Sequence, residues 1–178
     1  GDVPVYTLSS SCTSGGPFAN GDFTLVGSTL KTAMVFNFEA TPNRTICIEA
    51  NDGQGGILAA PVTVTINDVN EPPSGISLSN NTVWENADDG TPVGTFSTSG
   101  DPEPGQTFSY SLVSGDGSAD NDKLTIDGNQ LKALAVPDYA AQRVLYIRVR
   151  STDSGSPAQY IEKQFAINVL DHSLLSIG

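Results

Sequence analysis

The stretch Ile66-Asn67-Asp68-Val69-Asn70-Glu71-Pro72-Pro73 divides the chain and decides how the rest of it is read. It follows an alternating apolar run that begins at Pro61 and precedes another that begins at Ile76. Its two prolines fix φ and remove two backbone donors, so neither a helix nor a paired strand continues smoothly through them. Two carboxylates and a carboxamide come just before the prolines, and such oxygen-rich groups suit a hard cation. The stretch therefore predicts a stiff, acidic connection between two β-rich halves.

The composition of the chain favours all-β domains without a basic surface. Its 178 residues are enough for one large or two ordinary domains. Apolar residues mostly alternate with polar ones, and Gly, Pro, Asn, Asp and Ser interrupt every few positions, as is typical of short strands. The net charge of −12 argues against nucleic acids and anionic membranes as partners. No apolar run approaches the roughly 20 residues of a membrane span, so no membrane insertion is expected.

An internal repeat relates the two halves of the chain. Residues 23–40 align with residues 124–141 without a gap, and six of these eighteen positions are identical. Upstream of this block, the triplet that starts at Tyr6 pairs with the triplet that starts at Tyr110. The sequence therefore predicts two copies of one β unit, at residues 1–70 and 71–171, followed by a C-terminal tail at residues 172–178.

Motifs throughout the second half resemble those of cadherin repeats. The acidic stretch at residues 68–73 is similar to the calcium-binding linker between successive repeats, with Glu71 where the family usually has Asp. Further marks are, in chain order, Trp84-Glu85-Asn86, Asp101-Pro102-Glu103, Tyr110-Ser111-Leu112, Leu124-Thr125-Ile126-Asp127-Gly128, Pro137-Asp138-Tyr139 and Ser151-Thr152-Asp153. The resemblance implies two tandem antiparallel β-sandwiches of cadherin-like, immunoglobulin-type topology.

The resemblance also implies a calcium site at the junction, with ligands from the first unit, the linker and the second unit. These residues are Asn37, Glu39, Asp68, Asn70 (through its backbone carbonyl), Glu71, Asp101, Glu103 and Asp153. Acids at such short spacing would repel one another unless a cation neutralised them. The alternative interpretation is that each carboxylate merely supports a turn or solvates a loop. Glu85 and Asp138 match further ligand positions at the far end of the second unit, where we expect them to be structural.

The first unit is shorter than the second on its N-terminal side. Residues 73–109 precede Tyr110 and include two predicted strands, around residues 76–83 and 93–97, whereas only residues 1–5 precede Tyr6. The first sandwich is therefore predicted to lack its first two strands, which would leave unpaired edges and an open core. Two explanations remain open. The missing strands lie upstream in a longer protein, or another chain supplies them by strand addition, as in a fibril or pilus.

Two modifications are predicted from residue types. Cys12 and Cys47 both fall in the first unit, and the extracellular context that the resemblance implies predicts a disulfide between them. Asn43 and Asn80 each begin an Asn-X-Thr triplet, which makes them candidate N-glycosylation sites if the source is eukaryotic. Such triplets also arise by chance in β proteins rich in Asn and Thr.

The residue inventory argues against an enzyme. The only histidine, His172, lies in the tail, so no Ser-His-Asp set is expected, and no glycine-rich phosphate loop occurs. The prediction is a non-catalytic structural or adhesive repeat, secreted or on the cell surface, with a calcium-stiffened junction. Its expected partners are other repeats or copies of the same protein. The alternatives are the fibril subunit and a carbohydrate-binding module that would bind glycans through Trp84 and Tyr160.

Overall fold

The structure, a computed structural model, describes residues 3–100 and 102–172 and divides the chain into two compact units. Unit 1 comprises Gly1–Val69 and unit 2 comprises Asn70–Gly178. This division lies one residue before the predicted boundary, and the tail after His172 lies outside the described residues. No α-helix occurs among the residues described, and strands dominate both units. The predicted all-β class is confirmed.

Unit 1 contains a three-stranded sheet and a separate hairpin. Its strands are β1 (Val5–Leu8), β2 (Phe23–Val26), β3 (Thr29–Thr32), β4 (Asn43–Asn51) and β5 (Ile57–Thr65). The sheet has the order β1-β4-β5, all antiparallel, and β2 pairs with β3. Among its described residues, the buried hydrophobic side chains are Phe23, Ile46 and Cys47 alone. Unit 1 therefore has a thin core for its length.

Unit 2 is an eight-stranded sandwich with a sheet on each side of its core. Its strands are β6 (Gly75–Leu78), β7 (Thr82–Trp84), β8 (Pro92–Ser99), β9 (Ser109–Leu112), β10 (Leu124–Asp127), β11 (Gln130–Ala133), β12 (Val144–Thr152) and β13 (Tyr160–Leu170). The sheets have the orders β10-β11-β8-β6 and β7-β13-β12-β9. Their strands pair antiparallel, except that β7 runs parallel to β13.

The core of unit 2 follows from the alternation along its strands. On β12, the side chains of Leu145, Ile147 and Val149 are completely buried, because every second residue faces the opposite sheet. Across the core, β8 contributes Val93 and Phe96, which are 5% and 1% exposed. Burying one such side chain fully contributes about 1.5–3 kcal/mol. The second unit thus has the sizeable core that the first lacks.

The internal repeat is present as repeated structure. The β2–β3 hairpin pairs Phe23 with Thr32, and the β10–β11 hairpin pairs the corresponding residues Leu124 and Ala133. Both hairpins are preceded by a 3-10 helix, Asn20–Asp22 in unit 1 and Asn121–Lys123 in unit 2. The first residue of each helix accepts a hydrogen bond through its Oδ1 from a backbone N–H group, that of Cys47 on β4 at 3.0 Å and that of Arg148 on β12 at 3.1 Å. The two units therefore share one architecture down to individual hydrogen bonds.

The single strand predicted around residues 76–83 is wrong, because the chain changes sheet there. β6 pairs with β8, whereas β7 pairs with β13. Asn80 forms the corner between them, since its Nδ2 donates to the carbonyl oxygens of Thr82 and Val93 at 2.8 and 2.7 Å. Both segments bury alternate residues, so the sequence pattern does not reveal the crossing. Among the described residues of unit 1, three strands of unit 2, β6 to β8, have no counterpart, where two were predicted.

Candidate metal centre

Asn70, the first residue of unit 2, makes side-chain hydrogen bonds with three other residues of that unit. Its Nδ2 donates to Asp153 Oδ2 at 3.1 Å and to the carbonyl oxygen of Pro157 at 3.0 Å. Its Oδ1 accepts a hydrogen bond from Gln106 Nε2 at 2.8 Å. Gly155 leaves room for this side chain, because a Cβ there would overlap the Asn70 carboxamide. The sequence predicted a role only for the backbone carbonyl of Asn70 and not for its side chain. The sequence signal for the side-chain contacts was Gly155, two residues after Asp153.

Asp153 is the most buried acid among the predicted ligands that the structure describes, at 5% exposure. Its Oδ1 accepts hydrogen bonds from the backbone N–H groups of Gly155 and Gln159, at 3.0 and 2.9 Å. Its Oδ2 accepts one from Asn70, so all three donors in the described structure are neutral amides. Asp153 Oδ2 accepts only that one hydrogen bond in the described structure, so it keeps a lone pair that a cation could use.

Glu71 and Glu103 form a close carboxylate pair within unit 2. The backbone N–H of Glu71 donates to Glu103 Oε1 at 3.0 Å. A side-chain oxygen of each residue lies within 4.8 Å of the other. Two negative charges at that separation repel by about 3 kcal/mol at an effective dielectric constant near 20. The predicted ligand Asp101, two residues before Glu103, lies outside the described residues.

The predicted ligands in unit 1 are of two kinds. Glu39 and Asp68 are exposed, and a carboxylate oxygen of each lies within 4.8 Å of the other. Asn37 instead stabilises a turn, because its Oδ1 accepts a hydrogen bond from the backbone N–H of Ala40 at 2.6 Å. Asp138, the counterpart of Asn37 in unit 2, also stabilises a turn, because its Oδ1 accepts a hydrogen bond from the backbone N–H of Ala140, two residues on, at 2.7 Å. The turn interpretation therefore describes Asn37 well, whereas the two acids form a second close pair.

The donor chemistry of these residues fits calcium. Each unit carries one pair of close carboxylates next to the linker, and unit 2 adds the buried Asp153. All of these side chains offer oxygen, and Ca²⁺ takes six to eight oxygen ligands at flexible geometry. Glu85, at the far end of unit 2, differs because its two oxygens accept backbone N–H groups of Tyr139 and His172 at 2.8 and 2.7 Å. Those bonds fit a structural role for Glu85.

Unit 2 also contains two charge networks away from the linker. Burial alone would raise the pKa of Asp120, but hydrogen bonds from Lys123 Nζ, the Tyr146 backbone and Gln142 lower that pKa below its ordinary value. On the sheet surface, the guanidinium groups of Arg148 and Arg150 hold the pKa of Glu162 below its ordinary value. Both carboxylates have cationic partners in place, so they are stabilising elements rather than cation sites.

The two candidate modifications have different outcomes in the structure. Cys12 and Cys47 form the predicted disulfide, with Cα atoms 5.9 Å apart. Asn43 is exposed at the first residue of β4, and no hydrogen bond of its side chain is present in the described structure. Asn80, in contrast, uses its amide hydrogens in the corner between β6 and β7. Of the two, the geometry favours Asn43 as a glycan acceptor.

The two rings proposed for sugar stacking are each covered on one side. Trp84 is 38% exposed, and the centroid of its ring lies 5.0 Å from that of His172. Tyr160 is 51% exposed, and the guanidinium carbon of Arg150 lies 4.1 Å from its ring centroid. Neither ring stacks with a second exposed aromatic ring among the residues described. The structure adds no support for the carbohydrate-binding alternative.

Comparison with known proteins relates the chain to cadherins. It is 32% identical over 142 residues to Protocadherin Fat 2 of Mus musculus, a match that covers 76% of this chain and 3% of that protein. The crystal structure of human Protocadherin-24 EC1-2 has a TM-score of 0.70 at 16% identity, covering 96% of this chain and 83% of that one. The protocadherin gammaB7 EC3-6 cis-dimer structure has a TM-score of 0.57 at 21% identity, and the match covers 94% of this chain and 40% of that one.

These similarities identify the fold of the chain and its repeat type. No protein-family model matches the sequence. The structural likenesses just described establish the fold, and the sequence match to a Fat cadherin agrees with them. The chain is therefore a tandem of cadherin-like repeats, although it spans only a small part of the curated relative. None of the described helices is long and apolar enough to cross a membrane.

Proposed function

We propose that this tandem of cadherin-like repeats is a non-catalytic extracellular adhesive or structural element that binds calcium at its linker. The observation that carries the proposal is the Glu71–Glu103 carboxylate pair at the start of unit 2, together with the buried Asp153, which accepts a hydrogen bond from Asn70. Two carboxylates at that distance repel each other, and a cation bound to both would offset that repulsion. Calcium suits the all-oxygen donor set better than a metal that prefers nitrogen or sulfur ligands.

The proposed consequence of cation binding is a stiffer connection between the units. When bound, calcium supplies positive charge that neutralises the acids on both sides of the linker. Glu71, Glu103, Asp153 and Asp101 would supply ligands from unit 2, while the resemblance assigns Glu39 and Asp68 to the same role from unit 1. Without the cation, repulsion among these carboxylates favours a flexible linker. Ligand binding to the folded state also stabilises that state by mass action.

The proposed partners are other cadherin-like repeats, including further copies of this chain. The gammaB7 protocadherin repeats were solved as a cis-dimer, and the matched curated protein is also a protocadherin. Association between repeats would take place outside the cell, where millimolar calcium is present and where the Cys12–Cys47 disulfide is stable. Removal of calcium is then expected to weaken association as well as to loosen the linker.

Calcium titration of the full chain tests the proposal. We expect a rise in the unfolding midpoint with Ca²⁺ relative to EDTA, corresponding to about 2.7 kcal/mol at a hundredfold excess over Kd. A Glu71→Gln/Glu103→Gln double variant removes two charges but keeps the Glu71 N–H and an acceptor oxygen at position 103, so it should fold and lose most of the rise. The matched control is Asp122→Asn, which removes an exposed acid of unit 2 outside the site.

No midpoint shift in wild type would contradict calcium binding, and an equal shift in wild type and double variant would contradict the role of Glu71 and Glu103 as ligands. Small-angle scattering of the same proteins then addresses the linker. Calcium should narrow the distribution of dimensions in wild type and in the Asp122→Asn control, but not in the double variant. If calcium binds but the distribution does not narrow, the calcium site is supported and the proposed stiffening of the linker is wrong.

A further inference from the structure

Unit 2 presents a pair of arginines on the outer face of its β7-β13-β12-β9 sheet. The odd-numbered residues 145–149 of β12 are completely buried, so Arg148 and Arg150 face away from the core. Arg148 Nε donates to Glu162 Oε2 at 2.8 Å, and Arg150 Nη2 donates to Glu162 Oε1 at 2.7 Å. Two cations thus share one anion, which leaves a surplus of positive charge on a chain whose net charge is −12.

The two arginine side chains are fixed by their own neighbours. Arg148 also donates from Nη1 to the carbonyl oxygen of Asp116 at 3.1 Å, and the guanidinium carbon of Arg150 lies 4.1 Å from the centroid of the Tyr160 ring. Tyr160 is 51% exposed, and Tyr146, on the same face of β12, is 49% exposed. Fixed side chains lose little entropy on binding, and arginine and tyrosine carry much of the binding energy in protein interfaces. We call these arginines and tyrosines the arginine face.

The corresponding face of unit 1 carries no lysine or arginine among its described residues. Because β1 pairs with β4 as β9 pairs with β12, Glu49 occupies the position of Arg150, and Cys47 occupies that of Arg148. Cys47 is bonded to Cys12. The same sheet therefore forms without arginines at these positions, so the architecture alone does not require the arginine pair of unit 2.

The outer face of the unit 1 sheet instead offers a carboxylate beside two exposed apolar side chains. Glu49 Oε2 accepts hydrogen bonds from the hydroxyl groups of Ser9 and Ser11, both at 2.9 Å. Val5 and Ile57 lie on the same face in the neighbouring row and are 64% and 61% exposed. Their counterparts in unit 2 are exposed as well, so this exposure does not depend on β6 to β8. We call Glu49, Val5 and Ile57 the Glu49 face.

We propose that the arginine face of one molecule binds the Glu49 face of a second copy of the chain. Arg150 donates to the Glu49 carboxylate, and the ring of Tyr160 packs against Val5 and Ile57. This inference rests on the proposed adhesive function and names the surfaces through which copies associate. The two faces carry opposite local charge, whereas salt screens the repulsion between more distant acids beyond about 8 Å at physiological ionic strength. The groups in direct contact therefore decide the association.

The size of the arginine face predicts a weak contact. The nine residues of β12 span roughly 30 Å, and β9, β12 and β13 together are roughly 10–15 Å wide. Such a face covers about 400 Å² on each copy, against about 800 Å² per partner in an interface of standard size. Weak contacts gain strength when several act together, which suits an adhesive element built from repeats.

Charge reversal in separate molecules tests the pairing. We expect wild type to self-associate with increasing concentration in analytical ultracentrifugation with Ca²⁺ present. Arg150→Glu places a carboxylate opposite Glu49, and Glu49→Arg places a guanidinium opposite Arg150. Each variant alone should therefore associate about tenfold more weakly than wild type, or weaker still. An equal mixture of the two variants should restore association, because each new charge then meets its opposite on the other protein.

Two further variants serve as controls. Arg143→Glu makes the same change in charge at an exposed position beside the opposite end of β12 from Arg150, so it should associate like wild type. Glu49→Gln keeps an acceptor oxygen for Ser9 and Ser11 and should still weaken association, which separates the lost charge from a folding defect.

Four results would each overturn the proposal. These are a wild-type chain that stays monomeric at millimolar concentration, charge-reversed variants that associate like wild type, a mixture that does not restore association, and an Arg143→Glu variant that is weakened as much as Arg150→Glu.

Calcium titration distinguishes this inference from the proposed calcium site. None of the substituted residues belongs to that site, so every variant should keep the calcium-dependent rise in the unfolding midpoint. If the rise is present but charge reversal leaves association unchanged, only the pairing of the surfaces is wrong. If wild type shows no rise, the calcium site is wrong, while restoration of association by the mixture would still establish the paired surfaces.

Discussion

Removing the Cys12–Cys47 disulfide should unfold unit 1 selectively. The bridge joins the loop after β1 to the middle of β4, where Cys47 is completely buried. The backbone N–H of Cys12 lies 3.2 Å from Cys47 Sγ, and Ser9 N–H donates to the Cys47 carbonyl oxygen at 3.0 Å. The perturbation is the Cys12→Ala/Cys47→Ala double variant, compared with wild type before and after reduction.

The size of the effect follows from the length of the closed loop. The cysteines are 35 residues apart, and the chain-entropy relation for a loop of that length gives about 4 kcal/mol at 25 °C. Small domains have a total stability of roughly 0.05–0.15 kcal/mol per residue, which is about 3–10 kcal/mol for a unit of this size. Because unit 1 buries only three hydrophobic side chains among its described residues, we expect its stability near the lower end. Loss of the disulfide therefore removes most of it.

The assay must resolve the two units, and the chain offers a natural way to do so. Trp84, the only tryptophan, lies in unit 2, so its fluorescence reports the unfolding of unit 2 alone. Hydrogen exchange of the β4 and β5 amides reports the unfolding of unit 1, and exchange of the β12 and β13 amides reports the unfolding of unit 2. We expect exchange in β4 to accelerate about a thousandfold in the double variant, which corresponds to about 4 kcal/mol. The urea midpoint of Trp84 fluorescence should stay unchanged.

Two results would refute this reasoning. Exchange in β4 that accelerates less than about tenfold would mean that contacts other than the disulfide hold unit 1. An equal loss of protection in β12 would mean that the units do not unfold independently. Reduction of the wild-type protein separates the bridge itself from side-chain loss at Cys47, since it opens the loop without removing atoms from the core.

Further predictions concern Asp120, Asn43 and Asn80. Because the folded-state pKa of Asp120 is lowered, its ionised form stabilises unit 2 above the ordinary pKa of aspartate, and that stability is lost as pH falls through the folded value. The Asp120→Asn variant should lower the free energy of unfolding of unit 2 by roughly 1–3 kcal/mol at neutral pH and should lose less stability than wild type as the pH falls. Urea unfolding followed by Trp84 fluorescence at several pH values measures both effects. An unchanged loss of stability at acidic pH would contradict the prediction. When the chain is expressed in a eukaryotic secretory host, we expect a glycan on Asn43. The Asn43→Gln variant should therefore lack the glycan mass, whereas the Asn80→Gln variant should keep it. Loss of a glycan in Asn80→Gln would reverse that assignment. Asn80→Ala should also lower the stability of unit 2 by about 1–3 kcal/mol, because the carbonyl oxygens of Thr82 and Val93 lose their donor.

Part of the candidate site was predictable from the sequence because the acidic stretch at residues 68–73 resembles the calcium-binding linker of cadherin repeats. Glu71 and Glu103 lie in short acidic motifs, and the structure brings their carboxylates together. The side-chain role of Asn70 was not predictable, because its partners Gln106, Asp153 and Pro157 are far from it in sequence. Local patterns contain no information about such long-range contacts.

The sequence by itself determined the all-β class and the repeat. The alternation of apolar and polar residues shows which face of a strand is buried, and it can be read from neighbouring residues alone. A repeat is visible because two segments that adopt the same fold need similar side chains at the same spacing. Only the tertiary structure decided that the segment around Asn80 crosses between the two sheets of unit 2. The physical reason is that register and sheet assignment depend on which strands pair, and pairing joins residues that are distant along the chain.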